Sequence, residues 1–401
     1  MDRNLFPRTG IALRRACYLT AILNGLSASG VAQQAVVDQK PSTEPPLRYG
    51  PFDVLYSLQG GVVYDDNIYI STNKQSDVIW TIAPSMTLAA GDYREKQENL
   101  LTLSYTPTIF LFTDQSQNDA LDHDARLAGQ WHPGAWKFGL RQDYQNFSGG
   151  VVEVGNRVNR QIYNTQLSAN YEISPRTALE FDGQQIISDY EHFISYNEWI
   201  AAGWVDYELT PLLKTGLGLT GGFVDVKDGT DQTYEQALGR VAYSLTELVD
   251  LRASAGVELR QFRSTQADRV NPVFTLGSTY RPLQNTTLKL DAYRRSQTSI
   301  VVQDQNYTVT GFSAGVRQIF FENYALNLAG GYENTDYESN SPTAPPATRK
   351  DKYYFARIGL EWSIREHFTV GAFYQYRNND STDLNHQFDN HQVGLNAIYH
   401  F

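Results

Sequence analysis

From Phe52 onward the chain alternates apolar and polar residues, while no apolar run past residue 32 approaches the ~20 residues that a membrane helix needs. A period of two puts successive side chains on opposite faces of an extended strand, so each segment has one greasy and one wet side. The last segment, VGLNAIYHF (393–401), keeps this pattern to its final atom. Val393, Leu395, Ala397, Tyr399 and Phe401 share one face; Gln392, Gly394, Asn396 and His400 share the other, with Ile398 the exception. Roughly eighteen such strands fit into residues 52–401 without a helix, which makes the fold class all-β.

The connections sort by length. Tight ones such as HPG (132–134), SPRT (174–177), TPLL (210–213) and REH (365–367) alternate with longer polar ones. The long set is NIYISTNKQSD (67–77), TDQSQNDALD (113–122), SGGVVEVGNRVN (148–159), KDGTDQ (227–232) and ESNSPTAPPATRKD (338–351). Short turns on one rim and long loops on the other are expected of a transmembrane antiparallel up-and-down β-barrel in a bacterial outer membrane. Lipid offers no partner to an unpaired backbone donor, so a sheet can span a bilayer only when closed. Aromatic residues stand beside both sets of connections, as two girdles would. Trp131, Trp136, Tyr171, Phe320, Tyr324 and Trp362 lie near tight turns, and Tyr144, Phe147, Tyr190, Phe223, Phe262, Tyr337, Tyr353 and Tyr376 near long loops.

Four arginines, Arg3, Arg8, Arg14 and Arg15, precede or open onto the moderately apolar ACYLTAILNGLSASGVA (16–32), so residues 1–32 read as a cleaved signal peptide. Residues 33–51, with Pro41, Pro45, Pro46 and Pro51, read as a short disordered periplasmic lead-in, and 52–401 as the barrel. The only cysteine, Cys17, lies in the leader, so the mature chain has no thiol chemistry. Net charge is −11, and losing four arginines against Asp2 makes the mature chain more acidic still, which argues against nucleic acid as partner.

Alternation also assigns faces. A cation facing lipid at mid-membrane costs ~2–4 kcal/mol, so the polar face of each strand must line a wet lumen. Arg126, Arg141, Arg240, Arg252, Arg260, Arg295, Arg317, Arg357 and Arg377 fall there, opposed by acidic residues such as Asp143, Glu180, Asp206, Glu258 and Glu361. Guanidinium groups bind carboxylate or phosphate in two-pronged fashion and stack on rings, so this wall suits anionic or sugar-bearing solutes; equally, the charges could simply solvate the wall and neutralise one another. GLGLTGG (216–222) lacks the ending of a phosphate loop and no helix follows it; its small residues are expected to leave room in the lumen. YDDN (64–67) and LDHD (121–124) read as acidic rims, with no metal, cofactor or catalytic residue assigned.

With GGVVYDDNIY (60–69), a first strand running into an Asp-Asp-Asn loop, the chain resembles the β-barrel porin type 2 family. The resemblance implies an outer-membrane conduit for a secreted polysaccharide, with periplasmic export proteins as partners, and supplies no catalytic residues. In strand number and arginine content it is also similar to alginate-type exporters, although no signature of theirs is present. The closing Tyr399 and Phe401 resemble the signal by which barrel-insertion machinery recognises Gram-negative barrels. The expectation is a monomer surrounded by outer-membrane lipids that exports an exopolysaccharide; the alternatives are a passive porin for small anionic solutes and a structural or adhesive barrel with an occluded lumen.

Overall fold

A computed structural model describes residues 47–93, 98–244, 248–263, 268–340 and 347–401; the expected signal peptide and lead-in residues 33–46 lie outside them. The strands are β1 (Leu47–Tyr49), β2 (Phe52–Asp65), β3 (Asp77–Gly91), β4 (Leu100–Phe112), β5 (Ala120–Trp131), β6 (Trp136–Val151), β7 (Asn156–Ser174), β8 (Thr177–Tyr190), β9 (Tyr196–Thr210) and β10 (Leu213–Val226). They continue as β11 (Gln232–Ser244), β12 (Val249–Phe262), β13 (Arg269–Leu283), β14 (Thr286–Thr298), β15 (Gln305–Phe320), β16 (Tyr324–Ser339), β17 (Lys350–Arg365), β18 (Phe368–Ser381) and β19 (Phe388–His400). Among the described residues, helix is limited to the 3-10 turns Ser116–Asn118 and Leu384–His386.

From β2 to β19 each strand pairs antiparallel with its chain neighbours, and β19 then pairs with β2 from Gln392↔Asp65 to His400↔Ser57. The result is a closed eighteen-stranded ring with no free edge. Phe401 N donates to Tyr56 O at 3.1 Å, carrying the seam to the last residue. The short β1 pairs with the start of β2, turned by Gly50 at φ +60° and tied by Arg48 Nε to Asp53 at 2.9 Å. The last residues of the lead-in are therefore ordered against the barrel, where the sequence reading leaves them disordered.

The register separates two surfaces. Outward positions carry Trp80, Ile82, Leu103, Phe181, Val257, Ile358 and Leu395, and Leu217 and Leu219 are 75% and 70% exposed, which only a lipid-facing wall accommodates. Outward rings pair across strands near each rim: Trp136 with Tyr171 at 4.7 Å, Tyr324 with Trp362 at 5.8 Å, Tyr144 with Tyr163 at 4.8 Å, and Tyr332 with Tyr354 at 5.0 Å. Five residues expected in the outer girdle turn inward instead. Phe147, Tyr190, Phe262, Tyr337 and Tyr353 occupy luminal places in the register, and Tyr337 and Tyr353 are buried.

GLGLTGG lies along β10 with Gly216, Gly218 and Gly222 on the luminal side. A Cβ at Gly218 would strike the Trp204 ring, one at Gly222 the Tyr234 ring, and one at Gly216 the Asp206 carboxylate. The small residues do make room, but that room is filled by side chains lying flat on the wall.

Candidate functional site

All nine arginines of the sequence reading sit at luminal places in the register. Six of them carry an ion pair. Arg126 and Arg141 share Asp143, each at 2.6 Å. Arg240 joins Glu180 at 2.8 Å and Asp206, with its guanidinium 4.2 Å above the Trp204 ring. Arg252 meets Asp250 at 3.1 Å, Arg317 meets Glu361 at 3.0 Å, and Arg260, buried, meets Glu258 at 2.9 Å and stacks on Tyr234. Of the others, Arg295 lies over Tyr293, Arg357 over Phe373 with Gln375 at 3.0 Å, and Arg377 donates to Asn390 at 2.9 Å among its contacts. The wall is thus charge-compensated over much of its circumference rather than uniformly cationic.

Compensation is uneven around the ring. In a ring of eighteen, strands nine apart face each other, so β8 and β9 look across at β17 and β18. Glu180 and Asp182 on β8 and Glu198 and Asp206 on β9 crowd one wall, with Arg240 bridging two of them. Arg357 and Arg377 stand opposite, on strands that also carry Asp351 and Glu361.

The extracellular mouth is spanned by loops, and this the sequence reading missed. The 152–155 loop leaves the ring between β6 and β7, and the 299–304 loop between β14 and β15, eight strands away and close to a diameter. Yet Ser299 Oγ donates to Glu153 Oε1 at 2.6 Å and Ile300 N donates to the same oxygen at 3.0 Å. Groups rooted on nearly opposite walls can touch only if their loops fold into the opening. Arg349, from the β16–β17 connection, adds a third support by donating to Glu153 O at 2.7 Å and holding Asp351 with its Nε at 3.0 Å. Ile194 N donates to Ile300 O, and Asp304 accepts from Thr230 N at 2.8 Å, which docks two further loops. Ile70, at the tip of the β2–β3 loop, buries itself against Val152, Tyr353, Phe355 and Phe388; Gly150 leaves the space it occupies. The inward tyrosines are therefore the apolar seat of a crossbeam rather than a lipid girdle.

Sequence signals for this crossbeam do exist. The tips NIYI (67–70), VVEV (151–154) and SIVV (299–302) are apolar where solvated loops should be polar, and in VVEV a lone carboxylate is wrapped in valine. The expected loop 148–159 is in fact only 152–155, because β6 and β7 run on through Gly149 and Gly150. In YDDN, Asp65 accepts from Asn67 N at 2.8 Å and Gln392 Nε2 at 2.7 Å, so it fixes the loop base. Asp66, Asp389 and His391 lie close enough to hold a cation, but Lys74 bonds both carboxylates.

Residues 195–401 match the family model described as "Putative beta-barrel porin 2", just over half of the 401 residues. The chain belongs to that family. This porin is accordingly an outer-membrane β-barrel channel protein and not an enzyme. Its fold is similar to OccK2 (OpdF) of Pseudomonas aeruginosa, with TM-score 0.47 and 11% identity over 87% of this chain and 98% of that one. OccK3 (OpdO) of the same organism gives 0.45 and 12% over 87% and 96%, and OccAB4 of Acinetobacter baumannii 0.45 and 10% over 87% and 98%. No curated protein matches the sequence of this porin.

Proposed function

We propose that this barrel is a passive channel for small polar solutes, anions among them, with Arg357 one of the luminal cations they pass. The observation that carries the proposal is the crossbeam, since loops bonded across the mouth near Glu153 and Ser299 stand in the path of a polymer. Exopolysaccharide export, which the sequence resemblance implies, would require the whole crossbeam to swing aside. The barrel works as a monomer in this proposal, surrounded by outer-membrane lipid, with the signal peptide removed and Tyr399 and Phe401 as its insertion signal.

Planar-bilayer recording tests the proposal. Arg357 neighbours Gln375 and the Phe373 ring, and neither is left as a stranded charge if it is removed. Arg357→Gln is therefore expected to shift the reversal potential in a salt gradient toward cation selectivity, with barrel stability nearly unchanged. Small anions should pass without saturation. A channel silent to salts, or one blocked by an anionic oligosaccharide at low concentration, would overturn the small-solute reading, and the second outcome would favour export.

A further inference from the structure

We propose that the 152–155 and 299–304 loops form a proton-operated gate across the extracellular mouth, latched by the Glu153 carboxyl. The inference rests on the channel reading above and concerns its regulation. Its geometry is a single buried carboxyl held from the opposite wall by Ser299 Oγ and Ile300 N, with the Val301 amide beside them. Neither donor carries charge, and neutral donors are poor compensation for a buried anion. Among the described residues the cation whose charge reaches it is Arg349, already engaged by Asp351 and by the Glu153 and Val152 carbonyls.

Burial pushes the Glu153 carboxyl up to about 7, against the opposing pull of the Ser299 bond and the Arg349 charge. The other titratable groups that feel it are the phenols of Tyr190, Tyr196, Tyr307 and Tyr337, which stay neutral and add no competing charge. His386, packed beside Gly155 in the β18–β19 connection, is held below its ordinary value by burial and then by Arg349, so the His386→Asn variant is needed to separate it from Glu153.

The sign follows from linkage. A carboxyl whose value is about 7 in the latched state and ordinary when released binds its proton more tightly in the latched state. Latching is therefore complete below the ordinary carboxyl value of 4.5, weakens as pH rises from there toward 7, and is weakest above 7. A difference of this size alters the open-to-closed ratio by about two orders of magnitude between the two plateaus.

The test is bilayer conductance of the full-length protein from pH 5 to pH 9. Wild type is expected to conduct least at the acid end, to open as pH rises with a midpoint below 7, and to level off above 7. Glu153→Gln keeps an acceptor for both donors and cannot ionise, so it should stay closed and flat across the range. Glu153→Ala removes the acceptor and should stay open and flat. His386→Asn should keep the wild-type midpoint, and folded barrel mobility on a gel reports that each variant has assembled. A wild type that conducts without pH dependence overturns the gate alone, as does a Glu153→Gln variant that keeps the midpoint or a His386→Asn variant that loses it. Absence of conductance in every variant, Glu153→Ala included, overturns the channel reading together with the gate.

Discussion

Deleting residues 301–303 is expected to raise single-channel conductance severalfold at acid pH and to abolish its pH dependence. The 299–304 loop supplies both donors to Glu153, the Ile300 carbonyl that receives Ile194 N, and Asp304, which holds Thr230. Shortening it to three residues leaves a connection of ordinary hairpin length between β14 and β15, so the ring can still close. The remaining loop cannot reach across to Glu153. Conductance depends on the narrowest cross-section of the path, and the crossbeam occupies the mouth. An unchanged conductance would mean that the constriction lies lower in the lumen, among the stacked Arg240, Trp204 and Tyr234 side chains.

Arg240→Ala is expected to be the most destabilising change in the lumen. Arg240 bridges Glu180 on β8 to Asp206 on β9, and Asp182 stands beside the pair, so truncation leaves three carboxylates with no cation among them. Breaking a buried ion pair from one side costs ~3–5 kcal/mol, and luminal water places this site near the lower end of that range. Trp204 would also lose the guanidinium stacked on it, worth about 0.5–1 kcal/mol. The heat-induced loss of folded barrel in detergent should move to clearly lower temperature, and the surviving channel should become more cation-selective. Arg240→Lys should recover part of both effects, because it restores the charge but not the two-pronged grip. A variant that melts like wild type would show that lumen water already screens these carboxylates.

Much of the fold was legible because one physical constraint acts on every strand. Lipid outside and water inside enforce strict alternation, which fixed the number of strands and most of their limits. The error at residues 148–159 came from taking SGGVVEVGNRVN as one long polar loop, whereas Gly149 and Gly150 belong to β6 and Gly150 lets Ile70 pack against the wall. The luminal arginines were legible from parity alone. Their partners were not: Arg240 meets Glu180 from three strands away, and that contact depends on register and strand tilt that no local pattern records. The loop crossbeam was hidden for a related reason. Loops were read by their polar residues, while the information lay in apolar tips such as VVEV and SIVV, which are unfavourable in water and acquire meaning only once the ring brings them together.

Thiol labelling at two adjacent positions of β10 tests most directly that lipid touches one side of this wall and water the other. In a Cys17→Ser background, which leaves no other cysteine, single variants Leu219→Cys and Thr220→Cys are embedded in lipid vesicles and exposed to a charged maleimide that cannot enter hydrocarbon. Thr220→Cys should react and Leu219→Cys should not. Labelling of Leu219→Cys at the same rate, or protection of Thr220→Cys alone, would contradict a closed membrane barrel around a hydrated path.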